Sequence, residues 1–184
     1  MSSFEYQDQT FNIRIWNKSD GVLGRFVAVD TETTMVPFTK IPDLVTFQAY
    51  SGGNDVYYVP REEVAAFIDI HSDIFFIGQN MPFDMDVISK HLKETGTAYS
   101  RYDANLIRDV GVLYRLYHLA EHGFTPFKYN LSLLAKMFLG KALIKDETRE
   151  NFGQFLNASL SEIPQNYLEY GAIDVIATYK IYFS

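Results

Sequence analysis

The chain has 184 residues, 47% of them hydrophobic and 16% aromatic, which excludes a disordered polypeptide and suits one domain with an aromatic-rich core. It contains no cysteine, so disulfides, thiolate metal sites and a cysteine nucleophile are excluded, in keeping with a reducing compartment. A net charge of -7 excludes a protein that coats long stretches of duplex, but not a site that grips a few nucleotides with metal cations supplying the positive charge. No apolar run approaches the roughly 20 residues of a membrane span, and the polar start MSSFEYQDQT is not a signal peptide, so a soluble, intracellular protein, cytoplasmic by default, is expected.

Phe11, Ile13 and Ile15 alternate with other residues, and Asn17 to Gly21 supply turn chemistry before the apolar run Phe26-Val27-Ala28-Val29. This pattern predicts a hairpin leading into a buried strand, with residues 1–24 as a hairpin extension. Residues 44–50 and 56–59, joined by Ser51-Gly52-Gly53-Asn54-Asp55, predict a second hairpin. Pro60 opens a helix with Val64, Phe67 and Ile68 at helical spacing, and Ile74-Phe75-Phe76-Ile77, apolar on both faces, reads as a central strand.

Pro82 then opens a helix through Met85, Val87, Ile88 and Leu92 that stops near Gly96, and Asp103 is placed to cap a longer one through Ile107, Val110 and Leu116. Residues 130–139 predict a helix ended by Gly140, and Pro164 to about Tyr182 the last one. The polar, aperiodic residues 141–151 read as a loop. Early strands followed by helices predict a single α/β domain over residues 1–184, its mixed sheet flanked by helices.

The acids fall at particular places in this scheme. Asp30 and Glu32 are two apart at the end of a central strand, so they point the same way and can share one ion, while Thr31 points opposite. Asp84 lies in the first turn of the helix after the Ile74 strand, where it also suits the helix dipole. Asn80 precedes it by four residues at the strand exit, a usual place for pocket residues, whereas Asp86 faces elsewhere. Tyr170 and Asp174 are four apart on the last helix, about 6 Å along its axis and nearly on one face. Asp174 stands among apolar residues and needs a cation or strong hydrogen bonds. Four carboxylates about 4 Å apart would repel by roughly 4 kcal/mol per pair, so such a cluster calls for two divalent cations, and all-oxygen ligands select Mg²⁺ or Mn²⁺.

Together the segments VDTET, GQNMPFD and Y-G-A-I-D resemble the three motifs of the DEDD superfamily of 3′-5′ exonucleases. Tyr170 points to the tyrosine branch (DEDDy), with the proofreading domain of family A DNA polymerases and ribonuclease D, because Glu169 stands where the other branch carries histidine. The likeness runs from about residue 26 to residue 182. It implies a ribonuclease H-like fold and a two-metal exonuclease acting on single-stranded 3′ ends, DNA first and RNA as the alternative. In that scheme Asp30 bridges two ions, Glu32 and Asp174 complete one, Asp84 serves the other, and Tyr170 positions the attacking water. Thr31, Thr33, Met35 and Asn80 become substrate contacts. Phe83 is expected in the interior, Lys145 and Arg149 are weaker candidates for phosphate contact, and the four histidines are read as structural or surface residues. The family leaves open a stand-alone nuclease or a domain beside a polymerase in a longer parent. Two readings compete with it: a phosphatase with Asp30 as aspartyl nucleophile, and a catalytically idle binding module.

Overall fold

The apolar run ahead of Asp30 becomes a strand at the centre of the molecule. The computed structural model describes residues 2–35, 39–94, 96–143 and 151–184. Its strands in chain order are β1 (Ser3–Tyr6), β2 (Gln9–Ile15), β3 (Phe26–Thr33), β4 (Leu44–Tyr50), β5 (Asp55–Val59), β6 (Phe75–Gly78) and β7 (Ile107–Asp109). They form one mixed sheet in the order β1-β2-β5-β4-β3-β6-β7. β3 pairs antiparallel with β4 and in parallel with β6, and β4 pairs antiparallel with β5 as expected of that hairpin.

Helices α1 (Val64–Ile70), α2 (Met81–Leu92), α3 (Gly96–Asp103), α4 (Val110–His122), α5 (Leu131–Leu139) and α6 (Gln165–Tyr182) flank the sheet. Alternation along each strand sorts the core into two halves. Val27, Val29, Phe47 and Val59 pack with Val64 and Phe67 of α1 and Met85 and Ile88 of α2. Ala28, Tyr50, Val56 and Tyr58 pack with Leu134 of α5 and Ala172, Val175 and Ile176 of α6. The predicted α5 is borne out, with the Asn130 side chain accepting the Leu133 N–H and Gly140 closing the helix at φ 74°.

Three sequence expectations are corrected. β2 forms no hairpin with β3; it turns back on β1 through Gln7 and Asp8, both at positive φ, and pairs in parallel with β5. The turn-rich segment builds a 3₁₀ helix instead, with Asn17 and Asp20 in a reciprocal capping box, and Trp16 ahead of it is buried against Phe67. Asp103 ends α3 rather than starting a helix, and Asp109 caps α4, its Oδ1 accepting the Gly111 and Val112 N–H groups. Between them Ile107 to Asp109 pair in parallel with β6, a strand too short to leave a periodic signature. Finally, α2 stops at Leu92 with Lys93 in the left-handed region, and Gly96 begins α3.

His71 and Arg101 show how the polar interior is satisfied. His71 is fully buried, Nε2 accepting the Leu23 N–H at 3.0 Å while Nδ1 donates to Phe67 O at 2.8 Å, which defines a neutral tautomer. Arg101 donates to the carbonyls of Ile74 and His71 and lies over the Phe76 ring. Burial first, with Arg101 adding to it, pushes the His71 pKa down. The unfolded chain therefore binds the extra proton, so this contribution to stability is complete above about pH 6.5 and is lost as pH falls below it. In urea melts the lead of the wild type over His71→Gln is expected to shrink between pH 7.5 and pH 5.5; an unchanged lead would contradict the assignment.

Candidate active site

Asp30 and Glu32 leave β3 on the face covered by α6. The β3–β4 register sets Asp30 opposite Gln48, and the β4–β5 register sets Gln48 opposite Tyr58, so these three polar side chains form one row across the sheet. Gln48 Nε2 donates to Asp30 Oδ2 at 2.7 Å, and Gln48 Oε1 accepts from Thr46 Oγ1 at 3.1 Å. Tyr58 donates to the carbonyl of Leu168 on α6 at 2.6 Å, which ties the last helix to the row. The register shifts between Glu32 and Thr33, a bulge that ends regular pairing where the acids are displayed.

Gly171 lets α6 come close enough to matter. A Cβ there would sit 2.7 Å from Gln48 Nε2 and 2.8 Å from the Tyr58 hydroxyl, so with any other residue either these hydrogen-bonded groups or the helix would have to shift. Tyr170 and Asp174 flank this contact in sequence. With α6 seated, carboxylate oxygens of Asp30, Glu32 and Asp174 lie within 4.8 Å of one another. At an effective dielectric near 20, each ionised pair at that range repels by roughly 3 kcal/mol.

Asp84 arrives from the other face of the sheet. The β6–α2 junction turns through Asn80 in the left-handed conformation, and Asp109 Oδ2 accepts the Met81 N–H at 2.8 Å, so one carboxylate caps both α2 and α4. Asp84 is buried, and its Oδ1 takes both the amide (2.9 Å) and the hydroxyl (2.6 Å) of Thr31. Burial, and next the charge of Asp30, push its pKa well above the usual carboxylate range; the two Thr31 hydrogen bonds pull the other way. Burial followed by Glu32, Asp30 and Asp174 likewise holds the Tyr58 phenol well above its ordinary value.

All five motif residues line one cleft of about 580 Å³, with Asp30 and Glu32 on its floor strand, Asp84 from α2, and Tyr170 and Asp174 from α6. Thr31, Thr33, Met35 and Asn80 line it too, and Met35 is 81% exposed at its mouth. Thr31 commits both donors to Asp84. Phe83, expected in the interior, is half-buried against the core and also borders the cleft. Phe152 lies 6.1 Å from the Tyr170 ring and 5.1 Å from that of Tyr167, bracing this side. Asp86 is exposed. Lys145 and Arg149 lie outside the described residues.

No sequence-family model matches the chain, and no curated protein matches it in sequence. Solved structures do match it. The Nibbler EXO domain of Aedes aegypti aligns over 93% of this chain and 85% of its own, at 18% identity and TM-score 0.67. The chain shares the fold of this EXO domain. Brucella melitensis NrnC bound to pGG shares the fold as well, aligning over 94% of this chain and 79% of its own at 18% identity and TM-score 0.62. Escherichia coli RNase D, described as an exoribonuclease involved in structured RNA processing, covers 86% and 37%, at 18% identity and TM-score 0.57. The ribonuclease H-like mixed sheet with flanking helices expected from the sequence is the fold observed.

Sequence reasoning missed Gln48, Tyr58, Gly171 and Asp109. The buried pair Thr46 and Gln48 in the largely apolar LVTFQAY was the available signal, since a fully buried amide requires partners.

Proposed function

We propose that the protein is a metal-dependent 3′-5′ exonuclease that hydrolyses phosphodiester bonds at single-stranded 3′ ends and releases nucleoside 5′-monophosphates. The convergence of Asp30, Glu32 and Asp174 within 4.8 Å, with Asp84 and Tyr170 on the same cleft, carries this reading. The donor set is made of oxygens alone and is rich in negative charge, which fits hard divalent ions, two of them for charge balance and Mg²⁺ or Mn²⁺ by ligand type. NrnC, 16% identical over 93% of this chain and 77% of its own at TM-score 0.61, has been solved with bound Mg²⁺, which supports the same assignment. Ions held by Asp30, Glu32, Asp84 and Asp174 would neutralise phosphate charge and favour deprotonation of water.

The chain's own residues prepare the rest. Asp30 lies close to Glu32 and Asp174, and its charge also acts on Asp84, so it would hold metal together with either side. Thr31 holds Asp84 in place, and Tyr170 on the cleft wall orients the attacking water through its hydroxyl. Met35, Phe83 and Asn80 at the mouth offer apolar and amide surface for the terminal nucleotide. On this reading residues 1–184 act as one exonuclease domain, alone or beside a polymerase domain in a longer parent.

A 5′-labelled oligonucleotide with Mg²⁺ or Mn²⁺ is expected to give a ladder of products shortened from the 3′ end, abolished by EDTA. No ladder from the wild type would defeat the proposal, and a covalent phosphate on Asp30 would favour the phosphatase. Because RNase D is an exoribonuclease and NrnC binds pGG, RNA ends and short oligonucleotides are the favoured substrates. The DNA reading, proofreading-like, is the second, and matched RNA and DNA strands of one sequence separate the two. Tyr170→Phe should lower kcat by roughly 10²-fold with KM little changed, as expected for a hydroxyl that acts on water and not on substrate binding. A large rise in KM instead would assign Tyr170 to the nucleotide.

A further inference from the structure

Gln48 is a fully buried polar side chain in the middle of a largely apolar strand, and both ends of its amide are engaged. The Thr46 hydroxyl, itself 1% exposed, donates to Oε1, which leaves Nε2 as the end that faces Asp30 and defines the amide orientation. Nε2 donates to Asp30 Oδ2 at 2.7 Å. Across the strand Tyr58 closes the row, and Gly171 of α6 packs on both Gln48 and Tyr58. The same amide thus touches the carboxylate at the centre of the acidic cluster and the helix that supplies Asp174.

We infer that Gln48 is a positioning residue for metal binding: its amide fixes the rotamer of Asp30 and, through the Gly171 contact, the approach of Asp174, so that the three carboxylates are pre-arranged before an ion arrives. A carboxylate ringed by like charges would otherwise turn away from Glu32 and Asp174, and every ion bound would have to draw it back. Partners of this kind behind a metal ligand typically contribute about 10- to 100-fold in ion affinity. The inference rests on the metal-dependent reading of the cleft and adds a residue that no motif contains.

The test is calorimetric titration of Mn²⁺ into the full chain, beside steady-state kinetics on a 5′-labelled oligonucleotide. Gln48→Leu keeps the bulk and removes the donor, and should weaken Mn²⁺ binding by about 10- to 100-fold. At saturating Mn²⁺ its KM for the oligonucleotide should stay within about twofold of wild type while kcat falls. Thr46→Val leaves the amide in place but frees its orientation, and should weaken Mn²⁺ binding in the same direction by about three- to tenfold. A folded Gln48→Leu that binds Mn²⁺ as the wild type does, whatever its melting temperature, would show that Gln48 only fills space and would overturn the inference. If Gln48→Leu does not fold, Thr46→Val decides, and unchanged Mn²⁺ affinity in it is equally fatal. A wild type that binds no Mn²⁺ removes the metal-dependent reading itself, an outcome distinct from equal binding by wild type and variant.

Discussion

Asp30→Asn is expected to abolish the nuclease while making the metal-free protein more stable. The substitution keeps the shape of the side chain and an oxygen for the Gln48 N–H, but removes the charge nearest to Glu32, Asp84 and Asp174. On the proposed function Asp30 would hold metal, and loss of such a ligand would forfeit several kcal/mol of transition-state stabilisation, so degradation of the oligonucleotide should fall by about a thousandfold or more. In the metal-free chain the same change relieves repulsion, and the unfolding free energy should rise by roughly 1 to 3 kcal/mol. Divalent ion should then reverse the order: the wild type gains about 2.7 kcal/mol at an ion concentration 100 times its Kd, and the variant gains far less. Urea melts with and without Mg²⁺, read beside the nuclease assay, check all three. An active variant would refute the assigned site; an inactive variant of unchanged metal-free stability would refute the account of repulsion.

Gly171→Ala is expected to cost about as much in catalysis as removal of a functional group, although glycine carries none. A methyl at this position meets Gln48 Nε2 at 2.7 Å and the Tyr58 hydroxyl at 2.8 Å, and both are held by hydrogen bonds, so α6 must retreat. Overpacking of this kind costs about 1 to 3 kcal/mol, offset by up to about 1 kcal/mol because alanine is the better helix former. The retreat moves Tyr170 and Asp174 together, and misplacement by about 1 Å is enough for a hundredfold loss of rate. Tyr58→Phe removes one of the atoms the methyl would strike. In the Gly171→Ala background it should therefore restore part of the activity, whereas alone it weakens the tie to Leu168. Strictly additive effects of the two substitutions, measured well below the melting temperature, would show that the close approach of α6 is not what seats the acids.

The motif acids were legible because local periodicity reports where a strand ends and which residues share its face. Asp30 and Glu32 needed only the two-residue repeat of β3, and Tyr170 and Asp174 only the pitch of α6. Other elements left no such mark. β7 has three residues and exists because β6 offers it a parallel edge, so in the sequence the pattern around Ile107 reads as helix and Asp103 reads as the cap that Asp109 provides. Likewise Asn17 and Asp20 carry the chemistry of a turn and of a 3₁₀ cap alike; the parallel pairing of β2 with β5, some 40 residues on, settles which it is.

By itself the sequence determined that Asp30 and Glu32 share one face of a strand end and that Tyr170 and Asp174 share one side of the last helix, since both follow from dihedral periodicity over a few residues. Tertiary structure alone decided that Gln48 stands between Asp30 and Tyr58, that Gly171 admits the last helix to within contact of that row, and that Asp84 reaches the cluster from the opposite face of the sheet. Those outcomes depend on the register of strands joined through long connections and on the distance between layers, and neither is encoded within any short window of the chain.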